Sequence, residues 1–310
     1  LSTRPRKWLK SFGKRVSGKV KNKTWKSQRA GAPNSFVCEV PLKRQAGWEF
    51  WVLLFADNHW DNPHSDLEMQ RRHLGQVKER GGAAVGVGDL FCLMQGKFDK
   101  RGSKASVRPE HNTDNYFDTV IEDAAQFFRP YAKNIISVGV GNHEAEVKKR
   151  IEICPTERFI SLLNYGKNAN VYNGGYSGYV RFLFKDGPYA SSTVLQYFHG
   201  SGGAANAGGG VAQMYGDAGY YPDADIMCSG HNHHGWFREF SRQRLLKTGE
   251  ITYDIQTHIK IPTYKHAVGT GVGGFEVEKN LKARPLGGWW IRFYWDRPSG
   301  KVIYDLTRAR

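Results

Sequence analysis

The chain reads as an α/β fold, and three observations predict this. Five short apolar runs each lead within two residues to Gly, Asp or His, helical periodicity fills much of the first half, and strand-type segments follow one another after residue 179. Residues 50–55 (FWVLLF), 83–87 (AAVGV), 135–140 (IISVGV), 193–198 (TVLQYF) and 224–229 (ADIMCS) are the five runs. Brief apolar runs bounded by turn residues predict strands buried on both faces. Residues 66–80 carry Leu67, Leu74 and Val77 and stop at Gly81-Gly82, which predicts a helix with a glycine terminus. Residues 115–132 predict a second helix, with Phe117, Val120, Ile121, Ala124, Ala125 and Phe128 at helical spacing, and residues 147–163 a third. Further strands are expected over 179–184, 236–240, 252–257, 289–295 and 301–306, and no internal repeat is present.

The residues that close each run are more informative than the runs themselves. Asp57-Asn58-His59, Gly88-Asp89, Gly141-Asn142-His143-Glu144, His199-Gly200 and Gly230-His231-Asn232-His233 stand there. Ligands of open α/β sheets gather beyond the carboxyl ends of the strands, so these five ends are expected to converge on one rim. Two Asp, one Asn and four His supply enough donors for two divalent cations sharing one carboxylate, the equipment of a phosphoester hydrolase. A lone Gly-Asp or Asp-x-His is common by chance; the ordered set is not.

From about residue 48 to the end, the chain resembles the calcineurin-like metallophosphoesterases, whose Asp-x-His, Gly-Asp, Gly-Asn-His-Glu/Asp, lone His and Gly-His-x-His motifs are all filled in order. It is also similar to bacteriophage-encoded members in residues 88–97 (GDLFCLMQGK) and 285–290 (PLGGWW). The resemblance implies a four-layer α/β/β/α sandwich, two packed mixed sheets flanked by helices. It implies that Asp57, His59 and His233 hold one metal, that Asn142, His199 and His231 hold the second, and that Asp89 bridges both. His143 would then be the catalytic histidine outside the ligand set, protonating the leaving alkoxide after attack by a metal-bridging hydroxide. Glu144 is expected to act as a hydrogen-bond partner behind the ligands. The donors are all N or O, which suits manganese first and also iron, zinc, nickel or cobalt, while the His-rich second site argues against a purely magnesium enzyme.

Departures from better-known relatives narrow the substrate. Protein Ser/Thr phosphatases of similar motif carry Arg before Gly-Asn-His-Glu and Asp-Arg-Gly soon after Gly-Asp; here Val140 and residues 90–94 (LFCLM) stand there. Double-strand-break repair nucleases carry a sizeable DNA-capping domain after Gly-His-x-His, whereas 77 residues follow His233 here. The reading is phosphodiester hydrolysis of nucleic acid or nucleotides. A phosphomonoesterase on a small substrate, or a nucleic-acid-binding or virion-associated protein with an idle site, is the alternative.

Charge and cysteine usage complete the picture. Of 45 Lys and Arg, eleven lie in residues 1–30 with no acid among them, leaving 34 against 29 acidic side chains elsewhere. Residues 1–35 are therefore expected to be a basic, disordered tail, either suited to a polyanion, with Trp8 and Trp25 able to stack on bases, or merely a solubilising or targeting arm, and residues 36–310 to be the phosphoesterase domain. Lys97, Lys100, Arg101, Lys104 and Arg108 form a second basic stretch that could clamp phosphates, and residues 201–210 a glycine-rich loop expected to be mobile. His234 is expected on the surface or in packing, and His64, His73, His111, His258 and His266 as non-ligands. Cys38, Cys92, Cys154 and Cys228 lack Cys-x-x-Cys spacing and are expected as free thiols. With no secretory h-region and no apolar stretch near the roughly 18 residues a bilayer requires, a cytoplasmic location without membrane contact is expected, the host cytoplasm for a viral protein.

Overall fold

A computed structural model describes residues 23–95, 102, 106–167, 169–202, 211–267 and 283–310. One sheet runs β1 (Lys26–Arg29), β2 (Ser35–Pro41), β7 (Ser177–Asp186), β8 (Tyr189–Phe198), β9 (Ile226–Ser229), β11 (Ile251–Lys260) and β10 (Trp236–Leu245). The other runs β13 (Lys301–Ala309), β12 (Gly288–Asp296), β3 (Glu49–Phe55), β4 (Ala83–Gly86), β5 (Ile135–Val138) and β6 (Tyr172–Asn173). Both sheets are mixed. The β3–β4–β5 and β8–β9 pairings are parallel, so the carboxyl ends carrying the five motifs align within each sheet.

Strand alternation explains the layers. Val52, Leu54, Val85, Ile136, Ile291 and Phe293 face inward and meet Phe36, Val180, Phe182, Phe184, Leu195, Tyr197 and Ile259 of the opposing sheet. Phe293 sits at the centre, 5.2 Å from the Phe182 ring and 5.0 Å from that of Phe184. Leu53, Phe55, Ala84 and Ile135 face the other way, onto α1 (Leu67–Arg80), α2 (Tyr116–Phe128), α3 (Asn142–Ile151) and α4 (Pro155–Asn164). Across the molecule, α5 (Val211–Tyr220) lies over the seven-stranded sheet, where Asp217 shares a small cavity with Gln196, Met227 and His258. The four layers are therefore helices, sheet, sheet and helix. Among the described residues no helix is long and apolar enough to cross a membrane.

Most element positions agree with the sequence pattern, and the exceptions have physical causes. Helix α1 starts where Asp66 accepts from the Met69 N–H at 2.8 Å and ends where Gly81 turns left-handed at φ 63°. The single helix expected over 147–163 is two, α3 and α4. Glu152 takes φ 57°, and Pro155, which has no N–H to donate, opens α4. Within the stretch expected to be tail, Lys26–Arg29 pairs with β2. Trp25 is 3% exposed, donates Nε1–H to Gly81 O at 3.0 Å and meets Phe50 edge-on, so it belongs to the core and cannot stack on bases. Strand β1 leaves little trace in the sequence because its four side chains (KSQR) are polar and sit at a sheet edge.

His258 shows what the outer face of β11 costs at low pH. Its ring packs 4.9 Å from Phe240, and its Nε2 lies 2.8 Å from Gln256 Oε1. Burial first, then the Arg242 charge, lowers its pKa from the usual 6.5 to about 4. Between those values the unfolded chain binds a proton that the folded chain refuses, so this group's contribution is present above pH 6.5 and is lost as pH falls toward 4. A His258→Gln variant is expected to lose melting temperature less steeply than the native chain as pH falls from 6.5 toward 4; equal slopes in differential scanning calorimetry would refute the assignment.

Candidate metal centre

The ends of β3, β4, β5, β8 and β9 meet at one rim, but the rim belongs to both sheets, three strands from one and two from the other. Backbone bonds lace the loops across it. Asp57 N–H donates to Gly88 O at 3.0 Å, His59 N–H to Asp89 O at 3.2 Å, and Gly230 N–H to His199 O at 2.9 Å. His231 N–H reaches Asp57 Oδ2 at 2.9 Å and joins the two sheets. The motif glycines are required by proximity: a Cβ on Gly88 would sit 2.6 Å from His199 Nδ1, and one on Gly141 would sit 2.0 Å from Asp89 Oδ1. Seven non-glycine residues among those described have positive φ, and five of them are Asp57, His59, Asp89, His231 and His233. Left-handed backbone is costly for any residue with a Cβ, although Asp and His adopt it more readily than most, and here it falls on the donors.

The donors form three overlapping groups, Asp57 with His59 and His233, His59 with Asp89 and His143, and Asp89 with His199 and His231, the atoms of each within 4.8 Å of one another. His59 Nε2 lies 3.2 Å from His233 Nε2, which is 3.3 Å from Asp57 Oδ1. On the other side, Asn142 Oδ1 is 3.1 Å from His199 Nε2 and 2.7 Å from His231 Nδ1. His199 Nε2 is 3.1 Å from Asp89 Oδ2. Asp89 thus stands between the two halves, buried at 2% exposure. His143 lies beside it, with Nε2 3.8 Å from Asp89 Oδ2 and its own N–H donating to Asp89 Oδ1 at 3.0 Å.

The chemistry of this set fits divalent cations. Val87 O accepts from His199 Nδ1 at 2.8 Å, so the proton of the neutral ring is on Nδ1 and the Nε2 lone pair faces the oxygens of Asp89 and Asn142. Positive charge relieves that opposition. Burial works against charging His199, yet the Asp89 and Asp57 carboxylates with the Val87 carbonyl outweigh it and raise its pKa to about 9. Burial likewise opposes ionisation of Asp89, but His199 and His143 hold its pKa well below the usual carboxylate range. His59 is held well below the usual imidazole range, by burial first and then by His143 and His233, and so offers a free lone pair.

Residues behind the donors fix their geometry. Glu144 is fully buried and accepts from the N–H groups of Gly141 at 2.7 Å, Phe91 at 2.9 Å and Asp89 at 3.2 Å, clamping the Asp89 loop to the start of α3. Burial, then the Asp89 charge, pushes its pKa up to about 8. Thr263 Oγ1 donates to Asp57 O at 2.8 Å, and the Tyr176 ring meets His199 edge-on at 5.6 Å while its hydroxyl donates to Gly200 O. Sequence pattern gives Asp61, Cys92, Tyr176 and Thr263 no part in the site. Only Asp61, two residues past His59, stands near enough to a motif to invite attention.

The remaining histidines lie away from the cluster. His73 bonds the Tyr264 hydroxyl, His111 bonds Asp123, His258 bonds Gln256, His266 lies 3.4 Å from Asp66, and the His64 N–H donates to Asn62 Oδ1. His234 is within 3.2 Å of the Arg284 guanidinium. Arg108 is not a free phosphate clamp: it is 8% exposed, stacked 4.9 Å over Trp60 and bonded to Trp60 O and Glu110. Lys97, Lys100, Arg101 and Lys104, most of residues 201–210, and residues 1–22 with Trp8 lie outside the described residues. Cys38, Cys92, Cys154 and Cys228 are free thiols.

No family model and no curated protein matches this chain. Solved structures do. Vps29 of Entamoeba histolytica complexed with Zn2+ is 10% identical, with 84% of this chain and 100% of that chain covered at a TM-score of 0.34. A predicted phosphoesterase of Streptococcus pneumoniae is 12% identical, with 85% and 92% covered and a TM-score of 0.31. The calcineurin-like phosphoesterase YfkN of Bacillus subtilis is 12% identical, with 84% and 91% covered and a TM-score of 0.34. The four-layer arrangement stands on the sheet order itself.

Proposed function

We propose that this chain is a phosphoester hydrolase that works with two divalent metal ions and cleaves phosphodiester bonds of nucleic acid or nucleotides. The observation that carries the reading is the overlap of the three donor groups, the first two sharing His59 and the last two sharing Asp89, in one continuous set. Asp57, His59 and His233 would hold one ion, Asn142, His199 and His231 the other, and Asp89 would serve both. Bound there, the two ions would lower the pKa of a shared water and carry the developing charge of the phosphoryl oxygens.

His143 is assigned the proton transfer. Its Nδ1 donates to Cys92 O at 2.7 Å, which locks the ring with Nε2 toward the centre. A proton on Nε2 can then pass to the departing alkoxide, which leaves poorly without one. The diester preference rests on the basic residues 1–22, which hold eight Lys and Arg and would attract a phosphate backbone.

Three measurements test this. The full chain stripped by a chelator is expected to hydrolyse nothing and to recover on addition of Mn2+, with about two ions per chain by elemental analysis; Asp89→Asn should lose both the stoichiometry and at least about a hundredfold in kcat. His143→Ala is expected to keep its metal and to lose about 10²–10⁴-fold in kcat on a dinucleotide, but far less on bis(p-nitrophenyl) phosphate, whose leaving group needs no proton. Loss of metal in this variant would make His143 a ligand instead. Deleting residues 1–22, which spares the buried Trp25, should weaken binding to single-stranded DNA and flatten its salt dependence while leaving turnover of the small diester unchanged. DNA binding without any turnover in the native chain would favour a binding module with an idle site.

A further inference from the structure

Cys92 lies three residues past Asp89, and while its carbonyl holds His143, its side chain has no part in the proposal above. Its N–H donates to Asp61 Oδ1 at 2.6 Å, its carbonyl accepts from His143 Nδ1 at 2.7 Å, and its Sγ lies 3.2 Å from His59 Nδ1. The side chain is buried, at 3% exposure. Asp61 is buried as well and also accepts from the Leu93 N–H at 3.0 Å and from the Tyr116 hydroxyl, which ties the turn to α2. Leu93 follows with φ 49°, a left-handed turn held by the same carboxylate. One residue therefore connects the candidate acid to a candidate ligand.

The two nitrogens of His59 face different surroundings. Nε2 looks toward His233 Nε2 at 3.2 Å and Asp57 Oδ1 at 4.0 Å, while Nδ1 looks toward the Cys92 sulfur. For an imidazole that binds a metal through one nitrogen, the partner of the other nitrogen sets the tautomer and the ring orientation. A sulfur at that place is a weak, polarisable acceptor, and it orients the ring without the full charge a carboxylate would bring.

We infer that Cys92 is a positioning residue of this centre, its sulfur holding His59 so that Nε2 faces Asp57 and His233. The inference rests on the two-metal reading. It concerns metal uptake rather than turnover, which makes the two separable.

The test is calorimetric titration of Mn2+ into the chelator-stripped full chain and three variants. Cys92→Val fills the space without an acceptor, Cys92→Ala empties it, and Cys92→Ser keeps an acceptor. Cys92→Val and Cys92→Ala are expected to weaken one of the two binding steps by about tenfold or more and to leave the other unchanged, while Cys92→Ser stays within roughly threefold of the native chain. Valine binding both ions as the native chain does, or serine losing as much as valine, would show that the sulfur only packs. Equal weakening of both steps would point to a general disturbance of the fold and likewise overturn the inference. A native chain that takes up no Mn2+ overturns the two-metal reading and this inference together; a native chain that loads metal beside variants that load it alike overturns the inference alone.

Discussion

The constraint on which the site depends is the forced approach of groups that repel one another. Two carboxylates, an amide oxygen and several imidazole lone pairs point at a common volume, and Asp57 and Asp89 are both almost fully buried there. The attraction of Asp89 for its histidine neighbours does not by itself hold such a set together. Backbone hydrogen bonds between the loops that carry these donors do so, from Asp57 to Gly88, from His59 to Asp89 and from Gly230 to His199. The interior of the two-sheet sandwich then opposes the separation that electrostatics would favour.

That arrangement has a conformational cost. Five donor residues occupy left-handed backbone, at about 1–3 kcal/mol each for residues other than glycine. Strain of this kind persists where surrounding structure over-determines it. Glu144, accepting three N–H groups from the Asp89 and Gly141 turns, and Thr263, bonded to Asp57 O, are what over-determine it here. Negative charge is managed by the same means, since the charged neighbours of Asp89 keep it ionised while buried Glu144 is pushed toward its neutral form.

Much of the fold was legible in the chain because burial on both faces leaves a dense apolar signature, as in residues 50–55 and 135–138. The candidate site was legible for a related reason: a polar residue directly after such a run stands at a strand end wherever the strand lies. Which sheet each strand joins was not legible, because a parallel strand reads alike in either sheet, and the shared rim appeared only in three dimensions. The polar edge strand β1 and the break at Pro155 were hidden because short polar segments and helix interruptions leave weak periodicity. Trp25 carried a misleading context, an aromatic ring among lysines that turns inward onto Phe50. Cys92 and Asp61 could not be found from residue type, since their part at the centre depends on a turn that pattern does not reveal.

Because the rim is divided between two sheets, neither half-molecule owns a complete donor set. His199, His231 and His233 arrive from one sheet, while Asp57, His59, Asp89 and Asn142 arrive from the other. On the proposed reading, cation capture would be reserved for chains whose interior has already closed, and an immature or partly melted polypeptide would carry the donors without assembling the centre.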